Sequence, residues 1–434
     1  MIDDSPWNRY RSVPLVYRIA VGFVLGGIFG FIVGKPAAAL EPLGTLFLRL
    51  LKMLVVPLIV FTLLSGVKQL TPTKLGRIGG SVVGLYLATT AIAGFLGLVV
   101  ANILNPGTGV QFTGGKAQSA SPPSLGEVFL NIVPTNPVAA FGNGDVLSIV
   151  FFTLVFGLGL AIARDSTESE HVRDGIKTFF EIVDGIVEGL FTVVWGVMEY
   201  GVVGVFALLA TSMATHGLGA IESLAMLVAA VALGTLLQIS ITYLGLITML
   251  GLGQHPIKFL RGAKDAMVTA FSIRSSTGTL PVTMQNAEDD LKIDESLYGF
   301  SLPLGATINM DGAAIRQAIT AVFAANLFGV HLGLGDQVTL LVTVVLVSIG
   351  TAGVPGAGLI MLTVVLQSVS LPLTVVGFVA GVDPILGRIA TMNNVTGDLA
   401  VATLAAKWNN AIDFSTGVWT DDETAGETGL AISD

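Results

Sequence analysis

The chain has 434 residues, of which 53% are hydrophobic and only 12% are charged. Soluble domains carry roughly twice that charged fraction, because a mixed charged surface keeps them dispersed in water. The composition therefore excludes an ordinary soluble domain and indicates that the lipid bilayer is the solvent. The absence of cysteine excludes disulfides and thiolate metal sites, and a net charge of -9 without a basic stripe makes nucleic acid an unexpected partner.

Long apolar runs separated by polar loops fill the chain up to residue 252. Each run approaches or exceeds the ~20 residues that cross the hydrocarbon core as a helix. A polytopic, all-α membrane protein is therefore predicted. The predicted spans are residues 13–33, 43–67, 78–104, 145–163, 179–214 and 218–252.

Basic residues predict the orientation of these spans. Lys and Arg gather before the first span and between the second and third, whereas Lys116 is the sole basic residue between Arg77 and Arg164. Cytoplasmic loops carry the excess of Lys and Arg. We therefore expect a multi-pass protein of the cell (plasma or inner) membrane with both termini in the cytoplasm and an external loop over residues 105–144.

Beyond residue 255, polar clusters that contain glycine interrupt the apolar stretches, at residues 274–279, 309–312, 350–358 and 393–398. Irregular backbone at membrane depth persists only when it is buried in protein or lines a wet cavity. The clusters are therefore expected to interrupt the helices and to converge on one site. Their order, a turn-like cluster followed by an Asn/Asp cluster and then both again, is what an inverted repeat would leave in a sequence.

Two carboxylates, Asp311 and Asp398, lie within apolar stretches, where an unpaired charge costs at least ~2.5 kcal/mol on insertion scales. A bound cation would compensate for that cost, and the surrounding donors are amide, hydroxyl and carbonyl oxygens. Such a set suits sodium better than zinc or calcium. The alternatives are a turn at Asp311, a helix cap at Asp398, or buried ion pairs with Arg316 or Arg388.

Residues 274–279 gather hydroxyl and backbone N–H groups at a helix start beside Arg274, which is an arrangement that binds anions. The alternative is a solvated Ser/Thr turn. Residues 350–358 offer bare backbone that would close over a ligand, or form only a tight loop. No phosphate-cradling Gly-Lys loop or nucleophile elbow occurs, so the sequence predicts neither an ATP-driven pump nor an enzyme.

Taken together, the clusters resemble the dicarboxylate/amino acid:cation symporters, the glutamate-transporter homologues, over nearly the whole chain. The resemblance implies eight transmembrane helices plus two re-entrant helical hairpins in inverted repeats, an elevator mechanism and a homotrimer. The matching motifs are Arg274-Ser-Ser-Thr-Gly-Thr-Leu-Pro281 (first hairpin tip), Asn309-Met-Asp-Gly312 (broken seventh helix), Ser348-Ile-Gly-Thr-Ala-Gly-Val-Pro-Gly-Ala-Gly358 (second hairpin tip) and Asn394-Val-Thr-Gly-Asp398 (eighth helix).

The same resemblance implies how the chain divides between a static scaffold and a moving transport core. The implied divisions are residues 1–77 (N-terminal scaffold helices), 78–104 (third transmembrane helix, in the transport core), 105–144 (external loop), 145–252 (scaffold, trimerisation and the sixth-helix region), 253–414 (transport core) and 415–434 (acidic cytoplasmic tail).

Three sodium sites follow from the resemblance, and no cofactor other than the coupling sodium ions is expected. The first site would use Gly305, Asn309, Asn394 and Asp398. The second would use Thr307, Ser348, Ile349 and Thr351. The third would use Tyr86, Thr89 and Thr90 together with Asn309 and Asp311.

The implied substrate pocket departs from that of the family's amino-acid carriers. Gly387 stands where they place an Asp for the substrate amino group, Ala390 stands where an Arg is offered to acidic side chains, and Ala313 replaces a Thr. The full implied set is Arg274, Ser275, Ser276, Met310, Ala313, Gly353, Val354, Gly358, Gly387, Arg388, Ala390, Thr391 and Asn394.

These departures disfavour an ammonium group in the pocket, because its desolvation would go uncompensated. The expected function is therefore sodium-driven import of a small carboxylate without an essential amino group, such as a dicarboxylate. One alternative is a sodium-coupled neutral or acidic amino-acid symporter with a rearranged pocket. Another is a passive anion channel.

Overall fold

The computed structural model describes residues 10, 12–68, 72–108, 130, 133–216, 219–349 and 357–420. Over these residues the chain is mostly helical, and its one strand-like feature is an isolated bridge between Ile293 and Ile412. The helices in chain order are α1 Leu15–Val33, α2 Glu41–Val67, α3 Pro72–Leu104, α4 Pro137–Asn143, α5 Val146–Ser166, α6 Glu170–His216, α7 Gly219–Leu237, α8 Pro256–Ile273, α9 Ser276–Gln285, α10 Glu295–Ile308, α11 Asp311–Leu327, α12 Leu334–Ile349, α13 Ala357–Ser368, α14 Thr374–Ala380 and α15 Asp383–Trp408.

The described residues contain five helices long and apolar enough to cross a membrane, and a sixth if α14 and α15, which meet at 81°, are one bent span. The multi-pass architecture predicted from the apolar runs is thereby confirmed. Helix α6 is longer than its predicted span of 179–214, with 47 residues. At 1.5 Å per residue it is about 70 Å long, more than twice the ~30 Å hydrocarbon core, so part of it extends beyond the membrane.

Helices α1 and α6 pack with their backbones in close contact. A Cβ added at Gly22 would lie 2.7 Å from the Val202 carbonyl oxygen, and the glycines one and two turns later in α1 meet the α6 backbone in the same way. Small residues permit this approach between membrane helices. An ion pair between the buried Arg18 and the partly buried Glu199 joins the same two helices, which therefore form one unit.

Helix α7 continues without a break into a π-helix, Gln238–Leu252. A π-helix has a wider turn than an α-helix, and π-helical segments inside α-helices are frequent at functional sites. Here Gln238, Thr242 and Tyr243 are all buried. They lie on the side that packs against α11 and α15.

The helical backbone is interrupted between α10 and α11 at Asn309 and Met310, as the Asn-Met-Asp-Gly cluster predicts. Asn309 is non-helical, with φ -93° and ψ 87°. The break frees backbone groups at the end of α10 and at the start of α11. Residues on both sides of the break are buried.

The prediction of a second broken helix at residues 393–398 is wrong, since α15 runs unbroken through them. The sharp bend lies earlier, between α14 and α15. Gly397 does not interrupt the helix but allows close packing against it. A Cβ at this position would lie 2.6 Å from the Tyr243 hydroxyl and 2.9 Å from Asn309 Nδ2.

The predicted tail does not begin at residue 415, because the chain packs on the core as far as Trp419. The Trp419 indole N–H donates to the Leu291 carbonyl at 2.7 Å, and Lys258 Nζ donates to the Trp419 carbonyl at 2.7 Å. The rest of the predicted tail, residues 421–434, lies outside the described residues.

Candidate functional site

Asp311 is the first residue of α11, and its carboxylate is fully buried. It accepts hydrogen bonds from the hydroxyls of Thr90 at 2.6 Å and Tyr243 at 2.7 Å, and from Gln238 Nε2 at 3.2 Å. All of these donors are neutral. The ion pairs of the described residues do not include Asp311. Asp311 therefore lies in the first turn of a helix and not in an isolated Asp-Gly turn, and in the described residues it forms no ion pair with Arg316 or Arg388.

The Asp398 carboxylate lies in the interior of α15 and is 2% exposed, so it is not a helix cap. Asn309 Nδ2 donates to Asp398 Oδ1 at 2.8 Å and to the Asn394 carbonyl at 3.3 Å. Gly305 lies directly alongside, since a Cβ there would be 2.5 Å from Asp398 Oδ1. The break between α10 and α11 thus brings together all four ligands expected for the first sodium site.

Helix α3 contributes the residues expected for the third sodium site. Thr89 Oγ1 donates to Asn309 Oδ1 at 3.4 Å, close to the Thr90 contact with Asp311, and the Tyr86 hydroxyl donates to the Ser301 carbonyl at 3.0 Å. Because Asn309 contacts both sets, they form one continuous group of oxygen atoms around two carboxylates. We call it the carboxylate cluster; its members are Tyr86, Thr89, Thr90, Gln238, Tyr243, Gly305, Asn309, Asp311, Asn394 and Asp398.

The second expected sodium site is not assembled by hydrogen bonds in the described part of the chain. Thr307 donates to the Leu304 carbonyl at 2.8 Å, and Ser348 donates to the Val345 carbonyl at 2.7 Å. Each hydroxyl therefore bonds back to its own helix. Ile349 ends α12, and Thr351 lies outside the described residues.

Two members of the carboxylate cluster, Gln238 and Tyr243, were missed by the sequence analysis, which grouped residues 145–252 with the scaffold. Besides its bond to Asp311, Gln238 Nε2 donates to the Thr89 carbonyl at 3.2 Å, and Gln238 Oε1 accepts from Thr242 at 3.0 Å. The sequence feature that could have identified them is the presence of a glutamine and a tyrosine inside a largely apolar span.

The Tyr243 hydroxyl gives a direct test of the hydrogen bonds to Asp311. Changing Tyr243 to phenylalanine removes the 2.7 Å hydrogen bond to Asp311 Oδ2 and leaves the longer one from Gln238. We expect the free energy of unfolding to fall by about 1–3 kcal/mol, the cost of a buried unsatisfied polar group, and sodium to bind several-fold more weakly. Chemical unfolding of the purified variant across a sodium titration measures both.

The matched control for this test is Tyr200→Phe, which removes an exposed hydroxyl that donates to the Leu43 carbonyl at 3.0 Å. Sodium binding should be unchanged in this control. Identical sodium titrations of the two variants would contradict the role given to Tyr243.

Among the expected substrate residues, Arg274 and Ser275 form the junction between α8 and α9. Arg274 has a φ of 58°, a left-handed conformation that is strained for a residue with a side chain. The Arg274 guanidinium donates to Asp383 Oδ2 at 2.7 Å. Ser275 Oγ accepts from the Gly278 N–H at 3.0 Å and so caps α9, while Ser276 is buried. One hydroxyl expected to face an anion is therefore engaged in capping.

At Gly387, one of the expected pocket residues on α15, the space for a side chain is already occupied. A Cβ there would lie 2.7 Å from Arg274 Nη2, so the guanidinium occupies the space that a side chain would take. Arg388 Nη1 donates to the Pro384 carbonyl at 2.8 Å, and the ion pairs of the described residues include none between Arg388 and Asp398. Thr391 donates to the Gly387 carbonyl at 2.8 Å.

The remaining expected residues lie around the break between α10 and α11 or beyond the described chain. Met310 Sδ accepts from Asn394 Nδ2 at 3.1 Å, and Asn394 Oδ1 accepts from the Gly312 N–H at 2.7 Å. Ala313 follows in the first turn of α11, and the Ala390 backbone lies against Gly312. Gly358 lies in the first turn of α13. Gly353 and Val354 lie outside the described residues.

Comparison with known proteins identifies the family of the chain. The sequence profile of the sodium:dicarboxylate symporter family matches residues 15–408. A proton/sodium-glutamate symport protein of Geobacillus stearothermophilus is 33% identical over 92% of this chain and 95% of its own length. A proton/glutamate-aspartate symporter of Escherichia coli K12 is 35% identical over 86% of each chain, and a C4-dicarboxylate transport protein of Rhodospirillum rubrum is 30% identical over 94% and 91%. The chain therefore belongs to the sodium:dicarboxylate symporter family and is a membrane transporter, not an enzyme.

Proposed function

We propose that this protein is a sodium-coupled symporter that imports a small dicarboxylate across the cell membrane, with both termini in the cytoplasm. The observation that carries the proposal is the burial of Asp311 and Asp398 among neutral oxygen donors, without a cationic side chain paired to either one in the described residues. Two uncompensated carboxylates at membrane depth are costly. Cations bound within the carboxylate cluster neutralise them.

The donor chemistry supports sodium as that cation. The carboxylate cluster combines amide, hydroxyl and carbonyl oxygens with two carboxylates, which is a hard oxygen set of low charge. Over the described residues, no three His, Asp or Glu side chains gather as a zinc or calcium site would need. We therefore propose that the first and third sodium ions bind in this cluster, and, from the family resemblance, that the second binds at Thr307, Ser348, Ile349 and Thr351.

The surroundings of Gly387 support a dicarboxylate as the substrate. Gly387 has no carboxylate for an amino group. Asp383, one turn earlier on α15, is already paired with Arg274 and Arg316. The relative from Rhodospirillum rubrum is named a C4-dicarboxylate transport protein. The names of the relatives from Geobacillus stearothermophilus and Escherichia coli favour an acidic amino acid as the second candidate.

We assign the transport core to α3, the π-helix and residues 253–414, which would move as an elevator against a trimeric scaffold that includes α1, α2, α5 and α6. This division is supported by the origin of the carboxylate cluster, whose residues all come from α3, the π-helix, α10, α11, α15 and the break between α10 and α11. External sodium neutralises the two carboxylates before the substrate binds. Release of sodium into a sodium-poor cytoplasm resets the cycle.

Uptake into proteoliposomes tests the proposal. Labelled succinate should accumulate above its external concentration when sodium is high outside, and the accumulation should collapse when an ionophore dissipates the sodium gradient. Flux that only equilibrates across the membrane would indicate the passive anion channel. Sodium-driven uptake of aspartate or serine that succinate and malate do not inhibit would replace the dicarboxylate with an amino acid.

A further inference from the structure

Two buried arginines share one buried carboxylate beside the carboxylate cluster. Asp383, at the start of α15, pairs with Arg274 through Oδ2 at 2.7 Å and with Arg316 of α11 through Oδ1. The exposed fractions are 7% for Arg274, 4% for Arg316 and 4% for Asp383. We call these residues the two-arginine cluster; it connects the α8–α9 junction, α11 and α15.

The charges of the two-arginine cluster do not cancel. Two guanidinium groups face one carboxylate, which leaves one positive charge in excess at a buried position. Arg274 Nε is buried and has no hydrogen-bond partner among the described residues. Burying a cation that has an unused hydrogen-bond donor costs free energy unless an anion pairs with it. A carboxylate is the anion that matches the planar fork of a guanidinium.

The two-arginine cluster also lies against positions expected in the substrate pocket. Arg274 packs on Gly387, as described above, and a Cβ added at Gly358 would lie 2.5 Å from Arg316 Nη1. Next to Arg316, Gln317 Nε2 donates to the Gly358 carbonyl at 2.8 Å, which ties the first turn of α13 to the same place. The bare backbone at both glycines is therefore what allows the guanidinium groups to reach the pocket.

We infer that Arg316, held beside Arg274 by Asp383, determines substrate specificity by binding one carboxylate group of a dianionic dicarboxylate. The inference rests on the proposed function and adds to it Arg316 and Asp383, which neither the motifs nor the resemblance assigned to the substrate. An ammonium group at the same position would face the excess positive charge. The two-arginine cluster thus selects for a second carboxylate and against an amino group.

The experiment compares succinate with succinamate, its monoamide, which has nearly the same shape but one carboxylate fewer. Inhibition of labelled succinate uptake gives the ratio of the two affinities in wild-type protein and in Arg316→Gln. We expect wild type to prefer succinate by about 10- to 100-fold, the value of a charge-assisted hydrogen bond, and the ratio to fall towards one in the variant. In the variant Asp383 keeps its pair with Arg274.

Arg18→Gln is the matched control, because Arg18 is also buried, with 7% exposed against 4% for Arg316, and it pairs with Glu199 of α6 instead of Asp383. Its succinate preference should equal that of wild type. Arg316→Lys keeps the charge but loses the fork, so its ratio should also fall; this variant decides the question if the glutamine variant cannot be purified.

Failure of the inference and failure of the proposed function are distinguishable. A wild-type ratio near one, or ratios in the Arg316 variants equal to that of wild type, overturns the specificity role while sodium-driven uptake stands. Wild-type uptake that does not depend on sodium would instead overturn the proposed function.

Discussion

Replacing Asp398 with asparagine should raise the sodium concentration needed for half-maximal uptake by about 100-fold or more. Asp398 is the carboxylate of the first sodium site, and it lies buried against Asn309 with no other charge paired to it in the described residues. Breaking a buried charge pair by removing one partner costs about 3–5 kcal/mol, or at least two orders of magnitude in affinity. The sodium dependence of succinate uptake measures the effect.

The control for this substitution is Asp265→Asn. Asp265 lies in α8, in the same half of the chain, but its side chain is exposed. Neutralising it should leave the sodium dependence at the wild-type value. An Asp398→Asn protein with wild-type sodium dependence would refute the first sodium site.

Changing Gly305 to alanine should abolish sodium-dependent stabilisation. The new Cβ would lie 2.5 Å from Asp398 Oδ1 and 2.6 Å from the Tyr86 hydroxyl. Neither group can retreat freely, because each is buried and already hydrogen-bonded. Overpacking of this kind costs about 1–3 kcal/mol, and here the displaced atoms are expected sodium ligands and their neighbours. Thermal unfolding with and without sodium measures the loss.

Helix α10 supplies a control for the alanine substitution at Gly299, where an added Cβ meets no atom within 4 Å. Gly299→Ala should be neutral or slightly stabilising, because alanine favours the helix over glycine. Equal sodium responses in the two alanine variants would mean that close packing at Gly305 does not matter for ion binding.

The spans and the buried carboxylates were predictable from the sequence, because both depend on local hydrophobicity. Helices α1 and α2 begin and end within about two residues of their predicted bounds. Asp311 and Asp398 were identified because a charge inside an apolar run demands compensation. The Asn-Met-Asp-Gly cluster likewise predicted the break between α10 and α11.

The remaining features depend on tertiary contacts that local patterns do not contain. Gly397 looks like a helix breaker in sequence but makes room for the hydroxyl of Tyr243. The π-helix that brings Tyr243 to Asp311 lies within the single apolar span predicted for residues 218–252, so nothing in the apolar pattern marked where it begins. The pairing of Arg316 with Asp383 joins residues 67 positions apart, so sequence reasoning named Arg316 only as a partner for the wrong carboxylate.

The central claim, that sodium compensates the buried carboxylates, is tested most directly by thermal unfolding of the purified wild-type protein in sodium and in potassium at equal ionic strength. A ligand that binds only the folded state adds about 2.7 kcal/mol per site at 100 times its dissociation constant. We predict a saturable rise in unfolding temperature with sodium and none with potassium. Unfolding temperatures that are the same in both salts at every concentration would contradict the account.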